Sequence, residues 1–347
     1  MIPIPEGKVM GGVFGFPDHF SSKSTSPGFL SGEPILLFNA RSGIKLVVDQ
    51  LKPGRVWLPS FLCSTILTAI DASVSTLRFY PVGEHLSVIS EEFLSDLQPD
   101  DLFLCIDYFG FPFDKDLLEE VKRSGCKILR DCSQALFFDF QDDQYCDFHL
   151  FSPRKFLGVP DGGVLHAKKN LKFAVDSLEP PDELTLAIML QALVKRRDLD
   201  LFEAESEWFD LFKAGESLFK PGNTSMSELT RVLLSFAHDY QVIQSHRRQN
   251  YLTLSKSLGH LALFPVLPPE VVPLGFPVVV PNREAVRARL FENKIYPPIH
   301  WDISHVVPSG YEESHALSQR IMTLPCDQRY DENDMARMAD CLLELLA

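Results

Sequence analysis

Nowhere in this 347-residue chain do two cysteines stand at CxxC spacing, and the seven present (Cys63, Cys105, Cys126, Cys132, Cys146, Cys326 and Cys341) are odd in number and scattered. That pattern argues against a disulfide framework and against a zinc site, and several of these cysteines sit in apolar runs as small hydrophobes. A reducing, cytoplasmic setting is expected. Also missing is any apolar run near the ~18 residues a membrane span needs. Met1–Lys8 shows no basic segment leading into an apolar one, so no signal peptide is expected. Basic residues are in deficit, 33 against 47 acidic, for a net charge of -14. No basic block offsets this charge, which argues against a nucleic-acid or membrane partner. The triplet His246-Arg247-Arg248 reads as a solvated helix face. The ten histidines offer no i, i+4 pair with a flanking carboxylate, so no metal centre is expected. There is no internal repeat and no low-complexity tract.

What remains is an ordinary globular composition, 45% hydrophobic and 23% charged, in a chain long enough for one large domain and one smaller. From residue 34 onward strand-like and helix-like segments alternate. Strands are predicted over 34–39, 55–59, 76–80, 101–107 and up to Asp131, and helices over 42–51, 60–71 and 116–124. Such alternation implies an α/β fold, a mostly parallel sheet with helices on both faces. Residues 180–218 read as helical, and 227–258 as one long amphipathic helix. After Pro265 a strand at 276–280, a helix at 283–293, a short strand at 295–301 and a closing helix at 331–346 make a small α+β domain. The expected boundaries are 1–245 for the large domain, with an N-terminal arm over 1–34, and 246–347 for the small one.

The strand ends carry the chemistry. Asp131 closes one apolar run, and Lys155 follows the next, Phe148–Phe151, ahead of Asp161-Gly162-Gly163. Ligands of parallel sheets bind beyond the carboxyl ends of the strands. An acid and an amine there could reach one aromatic cofactor, the acid protonating a pyridine nitrogen and the lysine forming a Schiff base, as pyridoxal 5′-phosphate (PLP) requires. Gln134 could bond the ring's 3′ oxygen. Asn39-Ala40-Arg41-Ser42-Gly43, at a helix start after the first strand, could cradle the phosphate with backbone N–H groups and the Ser42 hydroxyl. Taken singly, Asp131 could be a turn residue, Lys155 a surface charge and Ser42 a plain helix cap.

In that order the segments resemble the DegT/StrS-type sugar aminotransferases, PLP enzymes of fold type I. Asn39–Ile44, Asp131–Ala135, Lys155–Gly163, Asn223–Leu229 and Ile321–Pro325 carry the resemblance, which runs from about residue 36 to the end. It implies Lys155 as Schiff-base lysine, Asp131 and Gln134 as ring partners, and Ala40, Arg41 and Ser152 in the phosphate cup. Asn223 would reach the phosphate of a neighbouring subunit, so that a homodimer shares its active sites. It further implies transfer of an amino group from glutamate or glutamine to the keto group of a nucleotide-linked sugar or related polar metabolite. The chain departs from the family pattern: Ser152 stands three residues before Lys155 instead of five, and Ser225 replaces an arginine. Arg41 replaces a small hydroxyl residue, and Cys63 stands near the place of the aromatic that stacks on the cofactor, with Phe61 close by. These mark a divergent subgroup. Tyr108, His300 and Trp301, in aromatic loops, are candidates for substrate contact. The alternatives are a PLP enzyme of another reaction type, with retention of Lys155 weighing against a dehydratase, and a non-catalytic PLP-fold regulatory or binding protein.

Overall fold

The computed structural model describes residues 8–20, 26–168, 171, 173, 177–203 and 207–347. Residues 1–7 and 21–25 of the expected arm, and 204–206 of the expected helical stretch, lie outside the described residues. In chain order the first part comprises β1 (Met10–Gly11), β2 (Ile35–Leu37), α1 (Ala40–Leu51), β3 (Arg55–Pro59), β4 (Thr76–Tyr80) and β5 (Leu102–Ile106). α2 (Lys115–Arg123), β6 (Lys127–Asp131), β7 (Phe148–Phe151) and β8 (Gly163–Ala167) follow. Seven strands form one sheet in the order β4-β3-β5-β6-β7-β8-β2. β4, β3, β5, β6 and β7 are mutually parallel, and β8 runs antiparallel to both of its neighbours. Every residue of β5 and β7 is buried, as strands covered on both faces require. The reversal at β8 brings the carboxyl end of β7, the entry of β8 and the carboxyl end of β2 to one edge of the sheet.

The second part holds α3 (Glu183–Phe202), α4 (Trp208–Leu218), α5 (Glu228–Phe236), α6 (Tyr240–Leu258), β9 (Phe276–Val279) and α7 (Arg283–Glu292). β10 (Ile295–Tyr296), α8 (Glu312–Arg320), β11 (Ile321–Leu324) and α9 (Glu332–Leu346) complete it. β9 and β11 pair antiparallel, and a separate core forms from Tyr251, Leu254 and Leu258 of α6 with Phe276, Met322, Met335, Met338 and Leu342. β1 pairs in parallel with β10, so the N-terminal arm is stitched to the C-terminal region. α6 is continuous across position 245/246.

Four local expectations give way. The helix expected over 60–71 is a short 3-10 helix, Ser64–Ala69. Its β-branched and hydroxyl residues disfavour the α form, and the Thr68 hydroxyl turns back to the Thr65 carbonyl at 2.7 Å. The long helix expected over 227–258 is broken between α5 and α6, where the Asp239 carboxylate caps a new start by accepting from the Gln241 and Val242 N–H groups. The strand expected over 295–301 stops at Tyr296, because Pro297 and Pro298 cannot donate to a ladder. Arg247, read as part of a solvated face, is fully buried. It donates to Gln328 Oε1 at 2.8 Å and to the Pro273 and Leu274 carbonyls, and lies over the Phe156 ring. A helix with two packed faces leaves no such solvent side at that position.

Candidate active site at the carboxyl edge of the sheet

At that edge a cavity of about 240 Å³ opens between α1, the strand ends and α4. Asp131, the last residue of β6, is on its wall, with Oδ1 accepting from the Ser133 N–H at 2.8 Å. The preceding residue anchors the strand from behind. Arg130 is buried between Asp107 (3.0 Å) and Asp143 (2.9 Å), over the Phe138 ring. Burial alone would lower the Arg130 pKa, and Asp107 overrides it to raise it. Gln134 shares the wall: its Oε1 accepts from the Phe109 N–H at 2.8 Å, which fixes the amide orientation, and its buried Nε2 has no partner among the described residues. An unpaired buried donor costs about 1–3 kcal/mol and calls for an acceptor.

The opposite wall is the start of α1. The Asn39 side chain caps the helix by accepting from the Ser42 N–H at 3.0 Å, and Ala40 and Arg41 face the cavity. The first N–H groups of a helix have no intrahelical partner, so this end suits an anion. Gly163 makes the approach possible, since a Cβ there would fall 2.3 Å from the Asn39 carbonyl carbon. Arg41 donates to the Phe219 carbonyl at 2.6 Å. Burial is the main cause lowering its pKa, opposed by Glu216 and reinforced by Arg154.

Lys155 ends a 3-10 turn, Pro153–Lys155, that follows β7 directly. The loop is held from below by Asp161, fully buried, which accepts from the Ser227 N–H and hydroxyl at 2.7 Å each and from the Thr230 hydroxyl. Burial pushes the Asp161 carboxyl up, against those hydrogen bonds. Lys155 borders the first cavity and also a second of about 340 Å³, whose far side is Gly11–Phe14, His300 and Thr323. His300 Nδ1 lies 2.8 Å from Thr323 Oγ1, and burial, aided by the nearby Lys155, lowers its pKa to about 3. The imidazole is therefore neutral at physiological pH.

No family model and no curated protein matches the sequence. Solved structures do match in fold. Helicobacter pylori PseC, an aminotransferase involved in the biosynthesis of pseudoaminic acid, superposes with TM-score 0.67 at 13% identity, covering 98% of this chain and 99% of PseC. A DegT DnrJ EryC1 StrS aminotransferase from Brucella abortus gives 0.61 at 16%, covering 91% and 86%. NtdA from Bacillus subtilis, solved with bound cofactor PMP, gives 0.64 at 14%, covering 93% and 78%. The chain has the fold of a fold-type-I aminotransferase.

On this aminotransferase fold the expected residues divide. Asp131, Gln134, Ala40, Arg41, Cys63, Ser152 and Lys155 come together around the smaller cavity, with Trp301, whose ring lies 5.7 Å from that of Phe61. His300 lines the larger one. Ser42 does not face the cavity: its hydroxyl accepts from the Gly222 N–H at 3.1 Å and lies 3.3 Å from Asn39 Oδ1, so it joins α1 to the segment after α4. Tyr108 is core, not wall. It is buried against Phe61, and its hydroxyl donates to the Phe61 carbonyl. Asn223 is exposed and lines neither cavity of its own chain. Two residues that line both cavities, Arg154 and Glu216, escaped sequence reasoning. Arg154 stands next to Lys155 and was open to notice, whereas Glu216 is one of two acids in α4 with nothing in its spacing to single it out. Asp143, Cys146 and His149 bring ligand atoms within 4.8 Å of one another. Asp143 is already ion-paired with Arg130 and His149, which accounts for the grouping without a metal.

Proposed function

We infer that the protein is a PLP-dependent aminotransferase that transfers an amino group from an amino acid, glutamate or glutamine, to the keto group of a nucleotide-linked sugar or related polar metabolite. One observation carries this reading: Lys155 borders a cavity that also holds the Asp131 carboxylate, the partnerless Gln134 amide and the start of α1. These residues fit the cofactor's pyridine nitrogen, 3′ oxygen and phosphate respectively, and the unpaired Gln134 Nε2 is the acceptor-seeking group such a fit requires. Bound PLP would supply the electron sink that makes a substrate Cα–H bond acidic. Asp131 would keep the pyridine nitrogen protonated. Lys155 would hold the cofactor covalently and, once freed by the amino donor, carry the proton between Cα and C4′. Ala40 and Arg41 would receive the phosphate, and Ser152 stands beside them. Cys63 and Trp301 line the same cavity and would bound the ring.

The larger cavity, reached from the other side of Lys155, would take the substrates, with neutral His300 able to donate to or accept from a hydroxyl. The reading includes a homodimer in which the exposed Asn223 of one copy reaches the phosphate of the other. Large apolar side chains exposed on α3, α4 and α5, Leu184, Phe202, Phe209 and Val232 among them, support a covered surface there. The test is spectroscopic. Purified protein mixed with PLP is expected to show a visible absorbance band that glutamate bleaches, and Lys155→Ala is expected to lack the band. A protein that takes up no PLP refutes the reading, and uptake without bleaching by any amino acid favours a binding protein on the same fold.

A further inference from the structure

Two charged side chains at the partition between the cavities are unused by that reading. Arg154 precedes Lys155 in the turn, and Glu216 comes from the last turn of α4; both border both cavities. They are ion-paired with each other through Arg154 Nη2 and Glu216 Oε1. The Arg154 guanidinium lies over the Phe219 ring at 4.3 Å, which fixes its plane and leaves its edge to bind. The packing of α4 brings Glu216 here. Gly215 sits so close to Met189 of α3 that a Cβ would fall 2.2 Å from the sulfur. Burial pushes the Glu216 carboxyl up, but Arg154, Arg41 and Lys155 together hold it below the usual range. A carboxylate of the chain itself thus sits among three cations, beside the amine that would carry the reaction.

The larger cavity has few other charges. Among the described residues Arg154 is the one guanidinium on its lining, and the other acid there, Asp327, is held by Arg329 at 2.8 Å. The two partners also differ in freedom, since the Glu216 side chain is 37% exposed and that of Arg154 only 16%. The acid therefore has more solvent to turn into than the cation. Exchanging one carboxylate for another on a fixed guanidinium conserves charge and leaves no buried ion unpaired.

We propose that Arg154 reads the carboxylate of the amino-acid substrate and that Glu216 occupies this carboxylate's place until the substrate displaces it. This rests on the aminotransferase reading and adds to it a specificity residue and a built-in competitor. Succinate, a dicarboxylate with neither amine nor keto group, is a suitable probe. Its binding to the full chain, with and without PLP, is measured by titration calorimetry for the native protein, Arg154→Gln and Glu216→Gln, with circular dichroism to establish folding. Arg154→Gln is expected to bind succinate at least about tenfold more weakly, and Glu216→Gln about tenfold more tightly. If Arg154→Gln does not fold, Arg154→Lys replaces it, with weakening again expected because a point charge does not reproduce the fork. Glu216→Gln binding no more tightly than the native protein would overturn the proposal, as would succinate binding to none of the three. So would an Arg154→Gln protein that loses affinity for PLP but not for pyridoxal, with succinate unaffected, since that would assign Arg154 to the cofactor's phosphate. The opposite shifts in the apoprotein, together with no PLP uptake, would refute the enzyme and leave the carboxylate site standing.

Discussion

Asp131 and Gln134 show how much a single atom decides. Both side chains have one oxygen committed to a backbone N–H, at 2.8 Å in each case, and this presents the remainder of each side chain in a fixed attitude. In Asp131→Asn the side-chain oxygen can still accept from Ser133, so folding should be unaffected, while the charge that we propose faces the pyridine nitrogen is lost. Transamination is expected to fall by roughly a hundredfold or more in a half-reaction assay with glutamate, with little change in Tm. His300 offers a pH test. Its folded pKa of about 3 lies below its ordinary 6.5, so the unfolded chain binds more protons in between. Its contribution to stability is complete above the ordinary value and is lost as pH falls toward the folded one. Tm is expected to drop as pH is taken from about 7 to about 5, and His300→Asn, which can still meet Thr323, should flatten that part of the profile.

At the scale of elements, the lysine loop and the start of α5 are one device. Asp161, at the end of the loop, accepts from Ser227 and Thr230 at the first turn of the helix. Asp161→Ala would strand two hydroxyls and an N–H and should cost about 3 kcal/mol, read as a lowered Tm, with faster loss of PLP because Lys155 loosens with the loop. The two segments were each recognisable in the sequence, Lys155–Gly163 and Asn223–Leu229, but nothing in their composition indicated that they touch. Strands β3 to β7 and helix α1 were legible because apolar runs and a capped helix start write their periods locally. The break between α5 and α6 was not, because the apolar pattern continues across Ala237–Asp239 and only the cap at Asp239 divides it. Nor was the reversed direction of β8: a glycine pair announces a return but not which way the next strand runs. Glu216 was illegible for a stronger reason, since its position follows from how closely α4 approaches α3 at Gly215.

For the whole molecule, the exposed apolar side chains of α3, α4 and α5 bear on assembly. Light scattering behind size exclusion is expected to give twice the 39.2 kDa chain mass. Asn223→Asp, which on the proposed dimer would set a like charge against the cofactor phosphate, is expected to weaken PLP retention without altering that mass. The Asp161 tie has a further consequence for the chain as a polymer. Everything from Gly162 to Met226, with β8, α3 and α4, leaves from and returns to one buried carboxylate. Beside it Leu37 bridges to Ser225 and Glu179 to Thr224. The ends of this excursion are therefore fastened independently of its contents. Because closing a longer loop costs only slightly more entropy, the connections that lead to and from the packed pair α3 and α4 can change length at small thermodynamic penalty while Lys155 stays where it is.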